Sequence, residues 1–242
     1  MTPRYGVKEP PSTPHVDTPV DVWQARATTM EKSRYIAIEG PIGVGKTTLA
    51  TALADRLGGR VVLEAVEENP FLAGFYQDPR KYAFQAQLFF LLSRFQQQQE
   101  LFQQDLFNQL TVSDYLFAKD RIFASLTLDP NELVLYERVW QALGPRTVKP
   151  DLVVYLQART DVLQARIRRR GREFERHLAP EYLEAVARAY GDFFFHYEDS
   201  PLLVVNTSAL DLGDEADLEP LLSQIRRHRK GRLHFNPEGH AS

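Results

Sequence analysis

The 242-residue chain contains no cysteine, which excludes disulfides, thiolate metal sites and cysteine nucleophiles. It also lacks a basic excess: 29 lysines and arginines stand against 32 acids, a formal net charge of −3. Polynucleotide binders usually carry a basic surplus, so a polynucleotide partner is not expected. No uninterrupted apolar run reaches the ~18 residues of a membrane-spanning helix, and no membrane partner is expected either. The start of the chain has no signal-peptide pattern, which fits a cytoplasmic enzyme. Internal repeats are absent, as is any constellation for serine catalysis or metal-dependent hydrolysis.

What is present divides into three parts. Residues 1–33 read as a flexible N-terminal leader, because Pro3, Pro10, Pro11, Pro14 and Pro19 interrupt any regular element. The acids Glu9, Asp17, Asp21 and Glu31 argue against a transit peptide. Residues 34–228 read as one α/β domain, and residues 229–242 as a flexible C-terminal tail. Within the domain, apolar runs at 35–39, 60–64, 110–114, 151–156 and 202–206 read as strands. Helical spacing covers 81–109, 116–126, 131–143, 160–170 and 180–197. The alternation predicts a doubly wound, five-stranded parallel sheet with helices on both faces. The run Gln96–Gln99 is expected on an exposed helix face. Phe84, Leu88, Phe89, Leu91, Leu92, Phe95, Phe102 and Phe107 go most of the way round the first long helix. One stripe facing a sheet cannot bury them all, so a homodimer built on this helix and the next is expected.

The most informative segment is Gly40-Pro41-Ile42-Gly43-Val44-Gly45-Lys46-Thr47, which satisfies G-x-x-x-x-G-K-[ST] between an expected strand and an expected helix. Backbone N–H groups of such a loop wrap phosphates, and the helix N-terminus adds partial positive charge. Lys46 reaches the outer phosphates and Thr47 offers a hydroxyl to Mg²⁺. These eight residues and Thr48 are the expected triphosphate contacts. Ligands of parallel sheets gather at the carboxyl ends of the strands. Glu64 and Asp114 each close a strand there, so both are expected to face the loop. Five arginines fall within residues 166–172. Arg166 and Arg170 share a helix face, and Arg172 follows the helix-ending Gly171. Such a cluster repels itself unless anions compensate it, and triphosphate oxygens match the guanidinium fork. A basic, solvated helix end is the plainer alternative. Arg168 and Arg169 fall off the spacing and are expected at solvent.

Together with Asn69-Pro70-Phe71-Leu72, Tyr76, Gln87, Ser93-Arg94 and Pro180-Glu181-Tyr182, these motifs resemble the deoxyribonucleoside kinases, in particular the bacterial deoxyadenosine and deoxyguanosine kinases. The resemblance runs from about Tyr35 to Asn206. It implies a P-loop kinase fold with an arginine lid (Arg166, Arg170, Arg172) and transfer of the γ-phosphoryl of ATP, with Mg²⁺, to the 5′-hydroxyl of a deoxyribonucleoside, purines preferred. Catalysis would rest on Glu64 as base, Lys46 and the lid arginines. Tyr76 and Glu175 match positions holding the 3′-hydroxyl, Gln87 the base edge, and Phe123 an aromatic against the base. Phe123 as plain core and Gln87 as one more exposed glutamine are the duller readings. The related kinases are helix-packed dimers, in line with the surplus apolar surface.

Two departures stand out. Ala65 replaces the proline usual after the base. At the end of the third strand, where the family carries an acid, an arginine and a serine, this chain has Ser113-Asp114-Tyr115. Aligned without gaps on Ile122-Phe123-Ala124, Asp114 takes the arginine's place; shifted by one residue, it is the acid. A strand-end carboxylate near Thr47 suits Mg²⁺, which favours the second register. The missing arginine would be replaced by the lid or by Arg121. Lys119 occupies the place of a base-reading aspartate, and with Arg94 it would tilt preference towards deoxyguanosine. Alternatively Lys119 points away and Asp120 serves. Two other functions compete: a thymidylate-type nucleoside monophosphate kinase, which Glu64 would disfavour by repelling the acceptor phosphate, and a nucleotide-binding switch, for which no guanine-reading Asn/Thr-Lys-x-Asp motif is present.

Overall fold

The computed structural model describes residues 34–104, 110–175 and 178–237. The expected leader, the end of the first long helix with Phe107, the side chain of Phe102 and the last five residues lie outside the described residues. Among those described, six parallel strands form one sheet in the order β2-β3-β1-β4-β5-β6. They are β1 (Arg34–Glu39), β2 (Arg60–Val62), β3 (Leu110–Ser113), β4 (Leu152–Gln157), β5 (Leu202–Asn206) and β6 (Arg232–Phe235). The helices between them are α1 (Lys46–Leu57), α2 (Leu72–Gln77), α3 (Pro79–Gln104), α4 (Asp120–Thr127), α5 (Pro130–Leu143), α6 (Thr160–Arg170), α7 (Pro180–Phe195) and α8 (Glu215–Arg227).

The central strands are apolar at consecutive positions because both faces are covered. Side chains alternate between the faces. Ile36 and Ile38 of β1, Leu152, Val154 and Leu156 of β4, and Leu203 and Val205 of β5 join α1, α6 and α8 in one core. Tyr35, Ala37, Val153, Tyr155, Leu202 and Val204 point the other way and pack with Tyr190 and Phe194 of α7. A slip of one residue would exchange these two sets, so the register is tightly specified. α5 begins with a capping box, Asp129 accepting from the amides of Asn131 and Glu132 while Glu132 accepts from the amide of Asp129, with Pro130 at its first position.

Three features differ from expectation. The sheet has a sixth strand: residues 232–235, within the expected loose tail, pair with β5 in the register Leu202↔Arg232. β6 is an edge strand, mostly exposed, so it shows little of the apolar signal that marks a buried strand. The short α2 and the C-terminal α8 were not anticipated. Gln98 is fully buried rather than on an exposed face: it donates to the Tyr35 hydroxyl (3.2 Å) and accepts from the Val148 amide (3.1 Å), bridging β1 to the segment before β4.

The strand order places the site. β3 inserts between β1 and β2, whereas β4 lies on the other side of β1. The carboxyl ends of β1 and β3 therefore face a crevice at a point where the winding reverses.

Candidate active site

β1 runs directly into the phosphate loop. Gly40 has φ 151° and Gly43 φ 81°. A Cβ on Gly40 would lie 2.3 Å from the Leu156 carbonyl oxygen, and one on Gly43 would lie 2.7 Å from the Ile167 side chain. Only glycine fits this packing of loop against sheet and α6. Beneath the loop, Glu39 is fully buried and fully used: it accepts from the Gly40 amide (2.8 Å), the Tyr190 hydroxyl (3.0 Å) and the Leu116 amide (2.7 Å). The sequence reading did not single out Glu39. A charged residue closing an apolar strand just before a glycine loop was the available signal.

Lys46 opens α1 and donates to the carbonyls of Gly40 (2.7 Å) and Pro41 (3.1 Å). Burial and the charge of Lys119 push it down to about 8, against the pull of Glu39, Glu64 and Asp114. The Thr47 hydroxyl donates to one Asp114 oxygen (2.6 Å), and the other oxygen accepts from the Glu64 amide (2.7 Å). Asp114 is thus fixed beside Thr47 and locks the segment carrying Glu64. Oxygen donors of this kind fit Mg²⁺, which is usually held by one or two carboxylates together with substrate phosphates.

Glu64 lies two residues beyond β2. One of its oxygens pairs with Arg94 and the other accepts from Lys119 (2.8 Å). Burial would raise its carboxyl, but Arg94 and Lys119, with Lys46 behind them, outweigh this and hold it well below the usual carboxylate range. Arg94 is held from behind by Asp120, fully buried at the start of α4, and stacks 5.0 Å over the Phe90 ring. Lys119 therefore points into the site, but towards Glu64. Asp120 neither takes its place nor stands free; it partners Arg94. Arg121 pairs with Glu137 (3.0 Å) over the Trp140 ring at the surface, away from the crevice.

Lys46, Thr47, Glu64, Arg94, Asp114 and Lys119 line one cavity together with Tyr76, Gln87, Phe123, Arg170, Arg172, Glu175 and Tyr182. Asn69 builds its far wall: it donates to the Ala86 carbonyl (3.1 Å) and accepts from the Phe71 amide (3.0 Å), tying α2 to α3. Tyr76 and Gln87 are thereby brought to the same space. Gln87 is buried, and its amide has no hydrogen-bond partner among the described residues. The Tyr76 ring stacks on Phe174 (5.9 Å), and burial raises its phenol well above its ordinary value. Phe123 meets Tyr190 edge-on (6.0 Å) while also facing the cavity, so it is both core and lining.

A second cavity opens beside Lys46 and Thr47, lined by Gly43, Val44, Gly45, Thr48 and three arginines of α6, Arg166, Arg169 and Arg170, with Arg172 just after the helix. The lid residues fall into two groups. Arg170 pairs with Glu175 (2.5 Å), and Arg172 lies across Phe174, with Glu67 its nearest other acid at 3.6 Å. Both line both cavities. Arg166 is committed elsewhere: it donates to the carbonyls of Val44 (3.2 Å), Thr207 (2.7 Å) and Leu210 (2.7 Å) and to the Thr207 hydroxyl (3.0 Å). Arg169 is exposed, as expected, and also borders the phosphate-side cavity. Arg168 is exposed, as expected. No group of three or more metal-ligating side chains occurs among the described residues.

Comparison with known proteins agrees with this arrangement. The family described as "Deoxynucleoside kinase" matches residues 36–228. The deoxyguanosine kinase of Bacillus subtilis (strain 168) is 39% identical over 162 residues, 66% of this chain and 78% of that protein. The deoxyadenosine/deoxycytidine kinase of the same organism is 30% identical over 202 residues, 80% of this chain and 92% of the other. Among solved structures, deoxyadenosine kinase from M. mycoides with dCMP and dCDP bound superposes with a TM-score of 0.70 at 27% identity, over 79% of this chain and 98% of that one. The family match spans most of the described chain: the chain belongs to the deoxynucleoside kinase family.

Proposed function

We propose that this chain transfers the γ-phosphoryl group of ATP to the 5′-hydroxyl of a purine deoxyribonucleoside. The observation that carries the proposal is the position of Glu64 in the wall of the cavity lined by Gln87, Tyr76 and Glu175, which shares Lys46 and Thr47 with the cavity over the phosphate loop. A nucleoside in the first cavity has its base at Gln87 and its sugar between Tyr76 and Glu175. Its 5′-oxygen then lies between Glu64 and a triphosphate on Lys46. Glu64 accepts the proton of that hydroxyl, while Lys46, Arg170 and Arg172 stabilise the charge on the transferring group. Thr47 and Asp114 are the residues that would hold Mg²⁺, which neutralises phosphate charge when bound.

Purines are favoured because relatives of this chain are named deoxyguanosine and deoxyadenosine kinases. Gln87, with both a donor and an acceptor, can grip either purine edge by turning its amide. Arg94 is paired with Glu64 and Asp120 and Lys119 with Glu64, so both are directed at carboxylates and give no ground for preferring guanine's carbonyl. The proposal therefore covers both purine deoxyribonucleosides. The enzyme would work in the cytoplasm, on soluble substrates, as a homodimer. The test is ADP release from ATP with each of the four common deoxyribonucleosides and with thymidylate. The expected result is the highest kcat/KM for a purine deoxyribonucleoside and negligible rate with thymidylate. A preference for thymidylate would overturn the proposal.

A further inference from the structure

Lys119 has no role in the mechanism above, yet it is as enclosed as any residue of the site, with 4% of its side chain exposed. A short turn at Phe117–Lys119 carries it into α4, and the Lys119 amide donates to the Leu116 carbonyl (3.0 Å). The Leu116 amide is in turn bound to Glu39 beneath the phosphate loop (2.7 Å). The base of the Lys119 side chain is therefore fixed relative to Lys46. Its ammonium carries three protons, and Glu64 is its one hydrogen-bonding partner among the described residues. A buried ammonium with donors to spare is costly unless another acceptor arrives. Lys119 lines the same cavity as Lys46, Thr47 and Asp114.

A cation on each oxygen lowers the basicity of Glu64, so the carboxylate becomes a better base when one of them withdraws as the 5′-hydroxyl arrives. Arg94 is pinned between Glu64, Asp120 and the Phe90 ring, so it cannot leave. Lys119 sits on a flexible stem with no second anchor, so it is the cation able to yield. We propose that Lys119 is a catalytic residue: it occupies Glu64 in the empty site and turns onto the oxygens of the transferring phosphoryl group when the 5′-hydroxyl takes its place on the carboxylate. In the transfer, the 5′-oxygen bonds to the γ-phosphorus as the bond from that phosphorus to the bridging oxygen of ADP breaks. The hydroxyl proton passes to Glu64 and later to solvent, and Lys119 stays protonated throughout. This role rests on the function proposed above.

The test compares the parent with Lys119→Met, Lys119→Arg, Glu64→Gln and the double variant Glu64→Gln/Lys119→Met. A cation aimed at transition-state charge is worth about 10²–10³ in kcat. Lys119→Met should lose that much while deoxyguanosine affinity, measured by calorimetry, stays within about threefold. Lys119→Arg should recover at least about tenfold, because it keeps the charge. In the Glu64→Gln background the Met substitution should still cost at least about tenfold. A double variant no slower than Glu64→Gln alone would show that Lys119 acts only through Glu64, and would overturn the proposal. So would weakened deoxyguanosine affinity with kcat unchanged. If Lys119→Met does not fold, Lys119→Gln carries the same comparison. An active parent unaffected by the substitution sinks this proposal alone, whereas a parent inactive on every deoxyribonucleoside sinks the function proposed above.

Discussion

A carboxylate gripped by Arg94 and Lys119 stays ionised far into the acid range, and this governs how the reaction responds to pH. As the proposed base, Glu64 would be needed as the anion. Its carboxyl is held below the ordinary value, so lowering the pH from 7 to 5 does not protonate it, and a bound metal ion would act in the same direction. Lys46 behaves oppositely. Burial and Lys119 push it down to about 8, so the free enzyme loses this phosphate-binding charge as pH rises through that value. The kcat/KM for ATP is therefore expected to be flat from pH 7 down to 5 and to fall above about pH 8. An acid limb near pH 6 in that profile would contradict the ion-pair geometry around Glu64. At the same scale, the proposed function assigns the base edge to the buried amide of Gln87.

Among the elements, α6 and the turn that follows it carry arginines with different duties. Arg166 joins the phosphate loop at Val44 to the segment after β5 through Thr207 and Leu210, and so acts as a strut. Arg166→Ala would leave those carbonyls without their charged donor, at a cost of about 2 kcal/mol. A drop of about 4–8 °C in Tm is the corresponding expectation for a chain of this size. Arg172→Ala should leave Tm nearly unchanged and lower kcat more than it weakens ATP binding, since Arg172 faces both cavities. Equal Tm losses in the two variants would refute the division. The spacing of arginines could not reveal it, because which acceptors meet Arg166 depends on Thr207 and Leu210, some forty residues away. The phosphate loop, the first five strands and the position of Glu64 were readable because each rests on local pattern: a glycine spacing, an apolar run, an acid near a strand end. β6 was not, since an exposed edge strand lacks that signal. Nor were the Asp120–Arg94 pair and the burial of Gln98, which need the folded contact between α3 and its neighbours.

For the whole molecule, the open question is what covers α3 and α5. Leu92, Val134 and Leu135 are 48%, 57% and 51% exposed, and Leu126 at the end of α4 is 39% exposed. Apolar surface of this kind usually marks an interface. Light scattering at micromolar concentration is expected to give twice the 27.8 kDa monomer mass, and Leu135→Asp to reduce it to the monomer. A monomeric parent would mean that this surface serves otherwise. Sheet, phosphate loop and helical wall converge on one carboxylate, placed where a nucleoside hydroxyl would meet a triphosphate. The most direct test of that convergence is the single-turnover rate of Glu64→Gln with ATP and deoxyguanosine. The substitution keeps the shape of the side chain and removes its basicity. The account predicts a rate about 10²–10⁴-fold below the parent with deoxyguanosine affinity little changed; a rate within a few-fold of the parent would contradict it.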